Sequence, residues 1–307
     1  MSIFILKQSK LTEVTEDSFK NEKEMQALVE NNLEELFGLK FVASEFMPRG
    51  DLRIDTLAFD PREKNFVIIE YKKGSSWAVM DQGFSYLSLL LDRKADFVLE
   101  MNKNHSTKLA ISDIAWETSR VIFVAPSFTT YQTGALGFQD VAFDLYKFQR
   151  HSGNIISLEQ VQGKVSKAKL SEVQTMSEEA RRVQRAVKQF TVEDHFPLGR
   201  EASKELFDEF TTRLLELDSR LSIHPVKTYI GISIGRKNIF SIHPRLSELK
   251  FDVVRFKPED LKDPEKKLRY LENSKKNFNV HISEIRIKNK SDSDYALMVA
   301  RQALAKY

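Results

Sequence analysis

A helix-patterned segment followed by three short apolar stretches, each broken off by a turn, limits this chain to few folds. From Ser18 to Phe37, the residues Met25, Leu28, Val29, Leu33, Leu36 and Phe37 recur at helical spacing, and Gly38 follows as a stop. FVASEF (41–46), LRIDTLAF (52–59) and NFVIIEYK (65–72) come next, separated by Pro48-Arg49-Gly50 and Asp60-Pro61, which predicts strand, turn, strand, turn, strand. Lys73-Gly74-Ser75 ends the third strand, and Ser76 is placed to cap a helix running to about Asp92. ADFVLEM (95–101) and RVIFVAP (120–126) read as two further strands, 128–139 as a helix and 141–150 as one more strand. The order is that of an α/β (α+β) domain closing near residue 155.

The 307 residues suggest two domains at roughly 100–200 residues each. Residues 156–195, with KVSKAKLSEVQ and the charged SEEARRVQRAVKQF, read as a helical connector. Residues 196–307 read as a small C-terminal α+β domain. Its expected elements are a helix at 202–221, strands in KTYIGISIG, KNIFSIHP and FDVVRF, a charged helix near Asp263–Asn273, a strand at 280–288 and a closing helix at 293–307. Apolar residues at 41% and charged residues at 30% exclude a fibrous or extensively disordered chain. The absence of cysteine excludes disulfide frameworks, thiolate metal sites and thiol nucleophiles. MSIFILKQSK is too short in apolar residues for a signal-peptide core, and no apolar run nears the ~20 residues of a membrane span, so a cytoplasmic location is expected. Charge is uneven. Residues 1–150 hold 18 Lys and Arg against 22 Asp and Glu, and residues 151–307 hold 29 against 22. That asymmetry fits an acidic, metal-binding first half and a second half able to touch a polyanion, but lysines on solvated helix faces give the same sum and are the simpler reading.

Side chains alternate along NFVIIEYK, so Phe66, Ile68, Glu70 and Lys72 share one face while Val67, Ile69 and Tyr71 share the other. Two opposite charges therefore close an apolar face, which costs desolvation energy unless something uses them. Asp55 holds a mid-strand place in LRIDTLAFD, where an acid is disfavoured. The plain alternatives are a pair of Asp55 with Arg53 or an edge lysine and a Glu70–Lys72 surface pair. Gln82 and Tyr86, four apart, share a face of the following helix. On the first helix three glutamates compete for the sheet side: Glu22 is in phase with Met25, Val29 and Leu36, and Glu24 and Glu30 fall on the flanks.

Asp55 followed by Glu70-Tyr71-Lys72 on the next strand resembles the PD-(D/E)XK nuclease superfamily, with Ile54 where proline often precedes the aspartate. Gln82 and Tyr86 resemble the Gln-x-x-x-Tyr element of RecB-like members, and the phase of Glu22 is similar to that of the archaeal Holliday-junction resolvases. Over roughly residues 20–130 the chain looks most like the NucS-like endonuclease branch, through EKEMQ, LFG, RIDTLAFD, IIEYKKG and DQGFSYL. The region after about residue 195 resembles an uncharacterised domain found behind such nuclease domains, in proteins sometimes labelled predicted transport proteins. No membrane segment and no GxxxxGK[ST] loop supports transport.

The resemblance implies a restriction-endonuclease-like mixed sheet flanked by helices and a Mg²⁺-dependent DNA endonuclease, with Mn²⁺ as substitute, serving restriction, repair or phage defence. Asp55, Glu70 and the Tyr71 carbonyl would hold metal, and Glu22 would add a contact through water. Lys72 would orient or deprotonate the attacking water, Gln82 would position it, and Lys73 and Tyr86 would touch the nucleic-acid backbone. The ends left would be 5′-phosphate and 3′-hydroxyl. A homodimer fits two-strand cutting, and a protein partner is expected for the C-terminal domain. The alternative is a non-catalytic nucleic-acid-binding or scaffold protein that keeps the fold. Other chemistry is poorly supplied. The six histidines lack zinc-ligand spacing, His224 and His243 precede prolines as turn residues do, and no Gly-x-Ser-x-Gly elbow occurs. Trp77, Phe84 and Trp116 are candidates for base stacking or core, and Arg181, Arg182, Arg185 and Lys188 for phosphate contact or a solvated helix.

Overall fold

The computed structural model describes residues 3–48, 52–74, 79–135, 142–161, 177–187, 190–235, 237–278 and 280–307. Arg49, Gly50, Ser75, Ser76, Trp77, residues 164–174 and Lys188 lie outside them, with the turn, cap, stacking and connector expectations attached to them. The chain divides into two units, residues 1–60 with 64–189, and residues 61–63 with 190–307. Among the described residues no helix is long and apolar enough to cross a membrane.

The first unit opens with a hairpin of β1 (Ile3–Lys7) and β2 (Lys10–Val14). Gln8 and Ser9 turn it with φ of +46° and +64°. Such turns usually advertise themselves by Asn-Gly or Asp-Gly, and neither is present here. β3 (Glu16–Asp17) precedes α1 (Glu22–Glu30) and α2 (Leu33–Phe37). Asn21 caps α1 by accepting from the Glu24 amide at 2.9 Å, and Gly38, at φ +69°, ends α2. β4 (Lys40–Phe46), β5 (Ile54–Asp60) and β6 (Asn65–Tyr71) form an antiparallel meander. α3 (Val79–Asp92) and α4 (Lys94–His105) then carry the chain to β7 (Arg120–Ala125), parallel to β6. α5 (Thr130–Ala135) leads to β8 (Phe143–His151), parallel to β7, and β9 (Ile155–Val161) returns antiparallel to β8. α6 (Glu178–Ala186) closes the unit. The seven-stranded mixed sheet runs β3-β8-β7-β6-β5-β4, with β9 also on β8.

Strand alternation gives this sheet two apolar faces. Val67, Ile69 and Tyr71 meet Met25, Val29, Leu33 and Phe37 of α1 and α2. Phe66 and Ile68 meet Tyr86, Leu87, Leu90 and Phe97 of α3 and α4. The stretch 95–101, expected as a strand, lies inside α4 and buries Phe97, Val98 and Met101. A parallel β6–β7 pair needs a long crossover, and α3 with α4 supplies it. The connector expected at 156–195 is likewise corrected: β9 extends the sheet, and Val183 and Val187 of the α6 region are buried in the α3-side core.

The second unit has α7 (Glu201–Leu215) and α9 (Lys290–Leu304) packed on one face of an antiparallel sheet. Its strands are β10 (Leu221–Pro225), β11 (Ile230–Ile234), β12 (Lys237–Pro244), β13 (Leu249–Val254), β14 (Arg269–Tyr270) and β15 (Ile282–Ile287), in the order β10-β11-β12-β13-β15-β14. A short α8 (Ser274–Phe278) precedes β15. The charged helix expected near Asp263–Asn273 is absent among the described residues. Asp263 instead accepts from the amides of Lys267 and Leu268 at 2.9 and 3.0 Å, and Lys266 takes φ +53°, which no α-helix tolerates.

Gly83 sets how closely α3 approaches the sheet. A Cβ there would lie 2.6 Å from Cζ of the buried Phe143. Gly83→Ala is expected to destabilise the chain by about 1–2 kcal/mol, overpacking outweighing the helix-propensity gain of about 1 kcal/mol. A urea-denaturation midpoint at or above that of the wild type would refute this packing account.

Candidate active site

β5 and β6 are paired from Asp60–Asn65 up to Thr56–Ile69, and there the register stops. One more step would set Asp55 opposite Glu70, two carboxylates on the α3 side of the sheet, a pairing that disfavours itself. Side chains meet several of the backbone groups around this break. The Tyr71 amide donates to Asp55 Oδ2 at 3.2 Å, and the Lys73 amide to Glu22 Oε1 at 2.8 Å. The Asp55 carbonyl accepts from Gln26 Nε2 at 2.8 Å, and the Arg53 carbonyl lies 3.0 Å from the Tyr86 hydroxyl.

Glu70 is 4% exposed, and both its oxygens are held. Oε1 accepts from Lys72 Nζ and from Gln82 Nε2, each at 2.7 Å, and Oε2 accepts from the Tyr86 hydroxyl at 2.6 Å. Gln82 Nε2 also lies 3.0 Å from that hydroxyl, so the four-residue spacing on α3 delivers both side chains to one carboxylate. Burial, then the charge of Glu70, pushes the Tyr86 phenol up, which keeps it a donor. Asp55 is only partly buried, and among the described residues its Oδ1 accepts no hydrogen bond.

The structure thus brings Asp55, Glu70, Lys72, Gln82 and Tyr86 together. Glu22 is exposed and engages the Lys73 amide, not either carboxylate. Lys73 Nζ donates to the Lys20 carbonyl at 2.7 Å. Glu24 accepts from the Lys20 amide at 2.7 Å and from Arg150 at 2.8 Å, and these bonds hold it below the usual carboxylate range. Glu30 turns into the sheet on the α1 side, where Oε1 accepts from Thr56 Oγ1 at 2.6 Å and from Gln26 Nε2 at 3.0 Å. Trp116 is buried against Phe66, Phe84 packs edge-on to Phe143, and Arg182 pairs with Asp92 at 2.8 Å. His243 lies 3.0 Å from Asp252 within the second unit's sheet.

Sequence reasoning weighed only the glutamates of α1 and passed over Gln26 and Glu45. Gln26 and Glu30 are four apart, the spacing that found Gln82 and Tyr86. Glu45 stands between Ser44 and Phe46, which pair with Thr56 and Ile54, and so lies beside Asp55 across β4 and β5. It takes φ +52° and pairs with Lys23 and with Arg53. A left-handed glutamate inside a strand leaves no local signal. Among the described residues no group of three or more His, Asp or Glu side chains is arranged to hold a metal ion. What the site offers is two carboxylates with hard oxygens, an ammonium and an amide donor.

Burial, and after it the charge of Glu70, lifts the Asp55 carboxyl from 3.8 to about 7. Between those pH values the folded chain keeps a proton that the unfolded chain has lost, so this group's contribution to stability falls as pH rises from about 4 to about 7 and is level above. In chelator, Asp55→Asn is expected to gain stability relative to the wild type across that window, with the largest gain near pH 8. Denaturation midpoints at pH 4, 6 and 8 measure it, and a pH-independent difference would contradict the assignment.

No protein-family model matches the sequence. Two solved structures are similar over less than half of the chain. A repair endonuclease from Pyrococcus abyssi is 21% identical with a TM-score of 0.25, over 42% of this chain and 48% of that one. EndoMS in a complex with double-stranded DNA is 19% identical with a TM-score of 0.29, over 47% and 64% respectively. This chain therefore covers less than two thirds of the length of either. An uncharacterized protein of Haemophilus influenzae is 34% identical over 304 residues, which is 99% of each chain. The chain belongs to the same family as that Haemophilus influenzae protein.

Proposed function

We propose that this protein is a metal-dependent nuclease that hydrolyses phosphodiester bonds in DNA. The observation that carries the proposal is the meeting of Asp55 and Glu70 where β5 and β6 part, with Lys72 bonded to Glu70. Mg²⁺ is bound in proteins through one or two carboxylates with water completing its shell, and Mn²⁺ takes the same hard oxygen donors. Asp55 and Glu70 fit that demand. Among the described residues Asp55 Oδ1 accepts no hydrogen bond, and the charge of Glu70 beside it is one that a cation would offset. The Tyr71 carbonyl, adjacent in sequence, is the third oxygen suggested by the family resemblance. A bound divalent ion would supply polarisation of the phosphate and a more acidic water.

The chain's own groups divide the remaining work. The Lys72 ammonium offsets phosphate charge and holds a water for attack. Gln82 and Tyr86 fix the Glu70 carboxylate through hydrogen bonds at 2.7 and 2.6 Å, and Gln82 Nε2 also donates to the Tyr86 hydroxyl at 3.0 Å. Glu22 and Lys73 are assigned here to shaping the exit of β6, since each bonds to backbone. DNA as substrate, a homodimer for two-strand cutting and a protein partner for the second unit belong to this proposal.

One observation favours a second reading, a nucleic-acid binder without catalysis: Glu70 has both oxygens satisfied by protein donors. Cleavage of plasmid, linear duplex and single-stranded DNA in Mg²⁺ or Mn²⁺ separates the two. The wild type is expected to cut, and Asp55→Ala and Lys72→Ala to lose about a hundredfold or more in rate. If no form cuts any substrate while all shift DNA equally in a gel, the binder is the correct reading.

A further inference from the structure

We propose that Gln26 is a positioning residue of the carboxylate site, holding the Asp55 main chain in place from the opposite side of the sheet. The proposal deepens the reading of Asp55 and Glu70 as the functional pair and rests on it.

Asp55 lies one residue past the last β5–β6 pair, and the β4–β5 pairs at Thr56 and Ile54 step over it, with Glu45 beside it at φ +52°, so no ladder pair includes Asp55 itself. Gln26 Nε2 supplies the missing donor, reaching the Asp55 carbonyl at 2.8 Å. The amide is aimed by two more acceptors, Glu30 Oε1 at 3.0 Å and Ser44 Oγ at 3.1 Å. Three acceptors around one nitrogen also fix which end of the amide is which. Gln26 is 5% exposed, so its hydrogen bonds are not traded freely with water.

The same cluster reaches β6. Glu30 Oε1 accepts from Thr56 Oγ1 at 2.6 Å, and the Tyr71 hydroxyl lies 3.1 Å from that oxygen. With its own hydrogen given to Glu30, Thr56 accepts from Tyr71. Burial pushes the Tyr71 phenol well above its ordinary value, which keeps it a donor. Thr56 and Tyr71 are 0% and 1% exposed. A buried cluster on α1 therefore clamps the residue after Asp55 and the residue after Glu70, and Gln26 reaches Asp55 itself. Two carboxylates that repel each other stay side by side only if something outside the pair holds their backbones, and Gln26 is suited to that for Asp55. Helix α1 thus contributes support through an amide, with no carboxylate of its own against the pair.

The test compares Gln26→Leu and Gln26→Asn with Val29→Ala in the full-length chain. Gln26→Asn keeps the amide and withdraws it by one methylene. Val29 is a fully buried residue of the same helix, so its truncation destabilises the fold without touching Asp55. Two readouts are taken: hydrogen exchange of the Tyr71 amide in chelator, since that amide is held by Asp55 Oδ2, and calorimetric titration with Mn²⁺ alone. Both Gln26 variants are expected to speed Tyr71 exchange by about tenfold or more beyond Val29→Ala at matched thermal stability, and to weaken Mn²⁺ binding by about tenfold, as losing a group that orients a ligand does. Exchange no faster than in Val29→Ala overturns the proposal, and so does Mn²⁺ affinity equal to wild type. Should Gln26→Leu fail to fold, Gln26→Asn decides. Should wild type bind no Mn²⁺, the metal-nuclease reading falls, and hydrogen exchange still decides the role of Gln26.

Discussion

The end of the β5–β6 ladder is the feature on which the first unit's chemistry depends. An antiparallel pair that ran on past Thr56 and Ile69 would seat Asp55 directly against Glu70, and mutual repulsion together with lost hydration opposes that. The strands part instead, and side chains meet several of the backbone groups near the break. Asp55 takes the Tyr71 amide, Glu22 the Lys73 amide, Gln26 the Asp55 carbonyl, and Tyr86 lies against the Arg53 carbonyl. A break in a sheet, which ordinarily leaves costly orphans, is here the means of gathering polar side chains from α1 and α3 around two acids.

The two acids are treated differently, and this gives the pair its character. Glu70 is nearly inaccessible, and both its oxygens are taken up by donors from Lys72, Gln82 and Tyr86. Asp55 has one amide donor and, among the described residues, no hydrogen bond to its other oxygen, and burial first and the charge of Glu70 second raise its pKa. The apolar layers on both faces hold the pair rigid: α1 and α2 behind, α3 and α4 in front, with Gly83 allowing α3 to come close enough for Gln82 and Tyr86 to reach.

Much of this was legible before any coordinates. Alternation along Asn65–Tyr71 separates Phe66, Ile68 and Glu70 from Val67, Ile69 and Tyr71, and the two sets line different cores. The i, i+4 spacing of Gln82 and Tyr86 foretells that they share a target, though it does not identify Glu70 as that target. Elsewhere local pattern misled. Phe97, Val98 and Met101 resemble a strand in composition, yet lie in a crossover helix demanded by the parallel β6–β7 pair. Residues 155–161 carry no strand-like alternation of burial, but the open edge of β8 recruits them. The run 263–273 has helix-forming composition and is diverted by one aspartate that captures two amides.

Sequence alone determined the periodicities, because the two-residue repeat of a strand and the 3.6-residue repeat of a helix are fixed by local backbone geometry. From them follow the faces on which Asp55, Glu70, Lys72, Gln82 and Tyr86 stand. Tertiary structure decided where the β5–β6 ladder stops, that Glu22 meets a backbone amide, that Gln26 and Glu45 flank Asp55, and that, among the described residues, Asp55 and not Glu70 has an oxygen that accepts no hydrogen bond. Those outcomes depend on which distant group arrives first at an unsatisfied donor or acceptor, and residues separated by tens of positions are brought within 3 Å by packing, which no local repeat encodes.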